Sequence, residues 1–213
     1  MKRMLPALLL LCAAILSGCA HKELSKQERF LAASPRSILI VPVVNNSVDI
    51  TASDYMLSTI TIPLAERGYY VFPVHMVKRV LEDDGLADSS LVHSAPASRL
   101  CALFGADAVM YITIERWDAR YMVFNTSVTL VLRYEIRDGK TDEVIWKNRE
   151  YMVYNSDGGG GGGLAGLVAK AVTAAVTRAA PNYMPMARQA SANSVKSYPG
   201  RGIPPGPYAI DKK

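Results

Sequence analysis

The chain has 213 residues, of which 24 are Lys or Arg and 19 are Asp or Glu, so its formal net charge is +5. Most of this surplus lies at the two ends, since residues 1–18 contribute +2, residues 182–213 contribute +4, and the segment between them sums to −1. A near-neutral body excludes the basic face that a nucleic-acid-binding domain needs, and no nucleic acid is expected as a partner.

Residues 1–18 have the three parts of a secretory signal. A positively charged start is followed by about 13 apolar residues, Met4–Leu16, and by two small residues before Cys19. This arrangement is typical of a signal peptide that is removed from the mature protein. The apolar run is too short for a transmembrane helix, which needs roughly 20 residues.

The tetrapeptide Leu-Ser-Gly-Cys, which ends at Cys19, resembles the bacterial lipobox, in which the cysteine sulfur is acylated and becomes the mature N-terminus. The resemblance implies that Cys19 binds the protein to a lipid bilayer, because several acyl chains on one residue anchor stably. Ala20 stands where an Asp would mark retention in the inner membrane. The resemblance therefore implies the outer membrane, with its periplasmic face preferred over the cell surface. An ordinary signal peptide with an incidental cysteine is the alternative.

Residues 19–36 are polar and are predicted to be a lipidated tether with some helical tendency. The next run, Ser37–Val44, is apolar and rich in β-branched residues, as expected of a strand buried on both faces. A helix is predicted from Ser53 to Arg67, with Pro63 as a kink or break. Further along, the pattern predicts a strand over Tyr69–Val74, a helix over 75–85, a polar loop through Ser89, Ser90 and Ser94, and a helix over Pro96–Phe104 that stops at Gly105.

From Asp107 onward apolar and polar residues alternate, which predicts strands with one solvated face over 107–117 and 127–137. Asp138 and Gly139 predict a tight hairpin turn into a third strand, Glu143–Tyr154. The order of elements predicts an α/β fold: one mixed sheet with two strand–helix units, then an antiparallel meander, with helices covering one face.

Six consecutive glycines, residues 158–163, separate this meander from a predicted helix over 164–180. That helix has many small residues, so it either covers the sheet or packs against a second copy of the chain in a homodimer. One domain is predicted over 37–180, and the Pro/Gly-rich tail 181–213 is predicted to be extended or disordered.

The glycine run formally matches the GxGxxG pattern of nucleotide-binding loops at Gly158, Gly160 and Gly163. Six glycines satisfy any glycine spacing, however, and no acidic residue follows about 20 positions on to bind a ribose. We favour a hinge, because ordering each glycine costs up to about 1 kcal/mol relative to alanine. No cofactor is expected.

A polar cluster follows the first predicted strand and comprises Asn45, Asn46, Ser47 and Asp49. Ligands of open α/β sheets bind beyond the carboxyl ends of the strands, so this loop is a candidate contact for a ligand or a partner. Asn, Ser and Asp are also ordinary turn residues that hydrogen-bond their own backbone. The turn interpretation is favoured over the ligand interpretation.

The remaining reactive side chains form no recognisable site. Cys101 is the one thiol that is neither in the signal nor lipidated, and its apolar neighbours favour a buried structural cysteine over a reactive one. His21, His75 and His93 are scattered without metal-ligand spacing, so no metal site is expected. No catalytic residue can be assigned, because no serine lies in a GxSxG motif.

The segments "SILIVPVVNNSVDI", "PLAERGYYVFPV" and "FGADAVMYITIERW" resemble an uncharacterised family of bacterial outer-membrane lipoproteins that includes a meningococcal surface vaccine candidate. The resemblance extends over roughly residues 19–178. It implies an α/β fold similar to the N-terminal domain of the Tol-system β-propeller protein and to the periplasmic domain of the curli secretion channel. It also implies a curli-type channel lipoprotein as a partner, and no catalytic residues.

The sequence therefore predicts a non-enzymatic lipoprotein that docks onto an envelope protein in a transport or secretion assembly. Two alternatives stay open at this point. One is a lipoprotein that binds or hydrolyses a small anionic ligand through the Asn45–Asp49 segment together with the glycine run 158–163. The other is a lipoprotein displayed on the cell surface.

Overall fold

The computed structural model describes residues 25–121, 126–155, 183–196 and 202–210. Cys19, the glycine run 158–163 and the predicted helix 164–180 lie outside these residues, and what was inferred for them stays a prediction. Within the described residues, no helix has the length and the apolar character that crossing a membrane requires.

The described part of the chain contains six helices and six strands. The helices are α1 (Lys26–Ala33), α2 (Ala52–Glu66), α3 (Val74–Asp83), α4 (Ser89–Ser94), α5 (Ala97–Phe104) and α6 (Met184–Val195). The strands are β1 (Ser37–Ile40), β2 (Val44–Asn45), β3 (Tyr70–Val71), β4 (Ala108–Tyr121), β5 (Thr126–Asp138) and β6 (Val144–Asn155).

The strands form one mixed sheet in the order β3-β1-β4-β5-β6, and β2 pairs with β4 beyond the end of β1. The pairs that β1 makes with β3 and β4 are parallel, as is the pair of β2 with β4. Antiparallel pairing joins β4, β5 and β6. The predicted α/β fold, with strand–helix units followed by an antiparallel meander, is confirmed.

Helices cover both faces of the parallel part of the sheet. Ile38 and Ile40 point into a large apolar cluster that includes side chains of α1, α2 and α6. Leu39 and the following Val41 point into a second cluster with side chains of α3, α4 and α5. Helices were predicted on one face only, and this is wrong. Both faces are covered because β1 is apolar on both sides and would otherwise expose one of them to water.

The face of β4–β6 that points away from α2 and α6 carries charged side chains, as the alternating pattern predicted for these strands. The Glu115 carboxylate pairs with Arg133 at 3.3 Å and with Arg149 at 2.8 Å. Both arginines are more than half exposed, so each pair contributes well under about 1 kcal/mol to stability.

Asp107 connects the start of β1 to the start of β4. Its Oδ2 accepts hydrogen bonds from the backbone N–H groups of Arg36 (3.0 Å) and Ser37 (2.9 Å) and from the Ser37 hydroxyl (2.8 Å). Partial burial alone would raise the pKa of Asp107, but these hydrogen bonds outweigh burial and lower it. The ionised carboxylate thus stabilises the register in which Ile38 lies opposite Ala108.

The segment predicted as a tether contains α1, which belongs to the folded domain. A capping box starts this helix, since Glu28 N–H donates to Ser25 Oγ at 3.2 Å and Ser25 N–H donates to the Glu28 carboxylate at 2.7 Å. Phe30 is 2% exposed and lies in the large cluster. The domain therefore begins before Ser37.

The segment with Ser89, Ser90 and Ser94, predicted as a polar loop, forms the short helix α4. Asp88 Oδ1 accepts hydrogen bonds from the N–H groups of Ser90 (2.8 Å) and Leu91 (3.0 Å), which start the helix. The loop prediction was wrong because Val92 is the one buried side chain of this helix. A single buried residue does not produce the repeating apolar pattern from which a helix is predicted.

The tail was predicted to be extended or disordered over 181–213, and this is wrong for 184–195 and 202–210. Helix α6 packs against α2, where the hydroxyls of Thr59 and Ser191 hydrogen-bond at 2.9 Å. Ser191, Ser194 and Ile203 are fully buried. The small side chains of α6 permit this close packing, which a hydrophobicity pattern does not reveal.

Residues 202–210, called the strap below, bind across the turn between α2 and β3. Gly206 N–H donates to Arg67 O (2.8 Å) and Tyr208 N–H donates to Gly68 O (3.0 Å). The chains approach so closely that a Cβ on Gly68 would overlap the backbone of Ala209, and one on Gly206 would overlap Gly68. Gly68 also has φ +87°, which disfavours other residues.

The β5–β6 turn is longer than the predicted two-residue turn. Asp138 N–H donates to Glu143 O at 2.9 Å, and Asp142 has φ 60°. A Cβ on Gly139 would lie 2.5 Å from Cys101 Sγ, so this glycine is needed for close packing. Cys101 is buried, as predicted, and burial raises the pKa of its thiol to about 12.

We expect Gly68→Ala to reduce the free energy of unfolding by about 3 kcal/mol, because strain at positive φ adds to overlap with the strap. Gly85→Ala is the matched control, since Gly85 has φ +81° but open space around its Cβ position. It should cost only about 1 kcal/mol. Urea unfolding measures both, and equal losses would contradict the tight contact with the strap.

Candidate functional site

The Asn45–Asp49 segment lies beyond the carboxyl end of β1. β2 brings it there by pairing with β4, where Val44 lies opposite Thr113 and Asn45 opposite Ile114. Asn46 N–H donates to Ile114 O at 2.9 Å and extends this pairing by one bond. The segment then turns and leads into α2. We call residues 45–50 the apical loop.

The polar side chains of the apical loop hydrogen-bond the loop itself. Asn45 Oδ1 accepts from Ser47 N–H (3.0 Å) and from the Ser47 hydroxyl (2.7 Å), while Asn45 Nδ2 donates to Asp49 O (2.7 Å). Asp49 Oδ1 accepts from Thr51 N–H (2.9 Å) and the Thr51 hydroxyl (2.6 Å). These bonds support the turn interpretation, because a small ligand would have to compete with them.

Two apolar side chains project from this braced loop. Val48 is 89% exposed and Ile50 is 86% exposed. The prediction for this segment rested on its polar residues and missed this pair. Their exposure could have been inferred from the sequence, because Val and Ile within a turn of Asn, Ser and Asp have no apolar neighbours to pack against.

Three aromatic rings pack together below the point where the apical loop enters α2. Tyr55, in the first turn of the helix, stacks on Trp117 with ring centroids 6.3 Å apart. Tyr183 packs edge-on against Trp117 at 6.1 Å and against Tyr55 at 6.4 Å. Trp117 is 1% exposed, so the rings form a solid base for the start of α2.

A cleft of about 250 Å³ lies at the carboxyl end of β1, where its lining includes Val43 before the apical loop and Ser53 after it. Here the chain connections from β1 and from β3 leave toward opposite faces of the sheet, which is the usual position for ligands in such folds. Its charged groups are of both signs, namely Asp54, Asp88 and Lys78. One oxygen of Asp88 is already occupied by the N-cap of α4. The cleft therefore does not favour a ligand of either charge.

His93 connects α4 to the chain that leads into the apical loop. Its Nε2 lies 3.0 Å from Pro42 O, and its ring packs edge-on against Tyr111 at 5.1 Å. The Arg137 guanidinium lies over the other ring, 5.3 Å from the Tyr111 centroid. Burial lowers the pKa of His93, so the folded protein favours the neutral imidazole.

The other candidate site residues from the sequence analysis are not brought to this loop by any described contact. Cys19 and the glycines at 158, 160 and 163 lie outside the described residues. Among the residues that the structure does describe, no group of three or more His, Cys, Asp or Glu side chains could hold a metal ion.

Comparisons with known proteins identify relatives over most of the chain. The sequence model of a family described as "Putative lipoprotein GNA1162-like" matches residues 27–208. The match includes most of the strap, which lies beyond the residues 19–178 covered by the resemblance noted above. A Neisseria meningitidis protein described as "Putative lipoprotein NMB1124/NMB1162" is 27% identical over 213 residues, which are 99% of each chain.

A solved structure of a related lipoprotein agrees on the fold. The crystal structure of lipoprotein GNA1162 from Neisseria meningitidis is 29% identical, with a TM-score of 0.57 over 66% of this chain and 96% of that chain. A PelC dodecamer from Paraburkholderia phytofirmans is 16% identical, with a TM-score of 0.43 over 76% of this chain and 89% of that one.

The neutral state of His93 makes stability depend on pH. Below about pH 6.5 His93 becomes protonated in the unfolded chain but stays neutral in the folded chain. Acidification therefore favours unfolding until the pH falls below the pKa of His93 in the folded protein. We therefore expect the free energy of unfolding to fall between pH 7 and pH 5 in urea titrations. The His93→Gln variant should show a smaller fall, and an identical slope would contradict this role.

Proposed function

The chain belongs to the GNA1162-like lipoprotein family, and from this premise we propose that it is a lipid-anchored, non-enzymatic docking component of a cell-envelope assembly. The observation that carries the docking role is the exposure of Val48 and Ile50 on a loop braced by its own hydrogen bonds. The partner is an envelope protein with an apolar pocket, and the resemblance noted above favours a channel lipoprotein of the curli type.

Lipid anchoring is supported by the sequence before the domain. A positively charged start, an apolar run of about 13 residues and the Leu-Ser-Gly-Cys tetrapeptide all precede position 20, where Ala replaces the Asp of inner-membrane retention. These features support acylation of Cys19 and attachment of the protein to the outer membrane. The periplasmic face is the side on which an envelope partner would be reached.

Docking through the apical loop is supported by its energetics. Burial of a Val or Ile side chain contributes about 1.5–3 kcal/mol, so both together give a small hot spot for a partner. The hydrogen bonds of Asn45 and Asp49 hold the loop in one conformation before binding. The entropy cost of binding is therefore reduced.

The two attachment points lie at opposite ends of the sheet. Helix α1, which follows the lipidated segment, leads into the amino end of β1, whereas the apical loop follows its carboxyl end. The nine steps from Ser37 to Asn46 correspond to about 30 Å of extended chain. A domain anchored through Cys19 would thus present the loop away from the bilayer.

The docking proposal predicts the effect of charge at the loop. We expect the double variant Val48→Asp and Ile50→Asp to lose partner capture at least about 100-fold, because burial worth roughly 3 kcal/mol is lost. Co-purification from detergent extracts after mild crosslinking measures this. Met76→Asp, which introduces the same charged group at a 53% exposed side chain on α3, is the control and should leave capture unchanged. Recovery of the isolated monomer from the unmodified protein would contradict docking.

The anchoring proposal predicts the behaviour of Cys19→Ser. This variant should lose its acyl chains and move from the membrane fraction to the soluble fraction, because the described domain has no spanning helix to hold it there. Mass spectrometry of the unmodified protein should find residue 19 acylated and the first 18 residues absent. A bare thiol at that position would overturn anchoring.

A further inference from the structure

The strap carries two exposed apolar side chains on a fixed backbone. Tyr208 is 57% exposed and Ile210 is 88% exposed. The backbone between them is held by the bond from Tyr208 N–H to Gly68 O at 3.0 Å and by the close approach of Ala209 to Gly68. These side chains are thus presented to the surroundings by a rigid segment.

The strap lies next to the helix that follows the lipidated segment. Tyr69 connects them, since its hydroxyl donates to Pro204 O at 2.7 Å and its ring packs edge-on against Phe30 of α1 with centroids 6.0 Å apart. The same end of the domain exposes Leu31 of α1 to 55%. The strap and α1 therefore belong to one end of the molecule, opposite the apical loop.

The length of chain before α1 limits the distance from this end to a bilayer. Six residue-to-residue steps lead from Cys19 to Ser25, and even fully extended they span at most about 20 Å. Helix α1 itself adds only about 12 Å. The end of the domain that carries the strap must therefore stay close to the membrane to which Cys19 is attached.

The side chains of the strap suit a membrane surface. Tyrosine is enriched at the membrane–water interface, where its ring meets apolar groups and its hydroxyl meets water. Ile210 borders a cleft of about 390 Å³ whose charged groups are Arg67, Lys196 and Glu66. Asp211, Lys212 and Lys213 follow the strap in the sequence and add a net charge of +1, which suits anionic headgroups.

We propose that Tyr208 and Ile210 enter the headgroup region of the bilayer and form a second membrane contact beside the acyl chains of Cys19. The contact rests on the proposed lipid anchoring. It orients the domain, because a flexible lipid attachment alone would let it tumble, whereas two separated contacts hold the apical loop away from the membrane.

The test uses the full, acylated protein in vesicles of phosphatidylethanolamine and phosphatidylglycerol with brominated acyl chains, which quench tryptophan. The reporter variant is Tyr208→Trp, and Ile210→Trp serves as a second reporter should the first disturb the strap. Ile50→Trp, at the opposite end, is the matched control. The native Trp117 and Trp146 are 1% and 4% exposed and give a constant background.

We expect the tryptophan at 208 or 210 to be quenched roughly threefold more strongly than the one at 50, because interfacial side chains lie within about 5–10 Å of the acyl boundary. Flotation of the vesicles is measured in the same samples. Equal quenching at both ends in protein that floats would overturn the second contact while leaving lipid anchoring intact. Protein that fails to float would overturn anchoring, and the strap contact with it.

Discussion

The carboxylate of Asp107 is the constraint on which the arrangement of this domain depends. It joins the start of β1 to the start of β4. Because β1 has only four residues, its own strand pairing defines the register weakly, and the hydrogen bonds of Asp107 fix it. A slip by one residue would exchange Ile38 and Ile40 with Leu39 and place each in the wrong cluster. With the register fixed, α1 lies at one end of β1 and the apical loop at the other.

Hydrogen bonds between polar groups fix the positions of several segments that hydrophobic burial alone would not define. Asn45 and Asp49 brace the apical loop, His93 ties α4 to Pro42, and the Thr59 and Ser191 hydroxyls meet between α2 and α6. Each such bond contributes only about 1 kcal/mol to stability. Their main effect is specificity, because they select one arrangement among several that would bury the same apolar area.

Periodicity in the sequence was sufficient for the parts of the fold in which neighbouring residues determine the structure. The unbroken apolar run at Ser37 predicted a strand buried on both faces, and alternation after Asp107 predicted the meander. Helix α6 and the strap were missed because residues far away in the sequence hold them in place. The Pro/Gly-rich strap, for example, is fixed by hydrogen bonds with Arg67 and Gly68, more than 130 residues away. In the candidate site, the polar turn of the apical loop was predicted, but the exposure of Val48 and Ile50 depends on what surrounds them in space.

The contact between the strap and Gly68 has a consequence for the biosynthesis of the domain. The turn between α2 and β3 completes its packing only when Gly206 and Ala209 are available, so the ribosome must pass residue 209 before the native core can close. Until then the nascent polypeptide lacks the hydrogen bonds that the strap makes to Arg67 and Gly68, and its fold is incomplete.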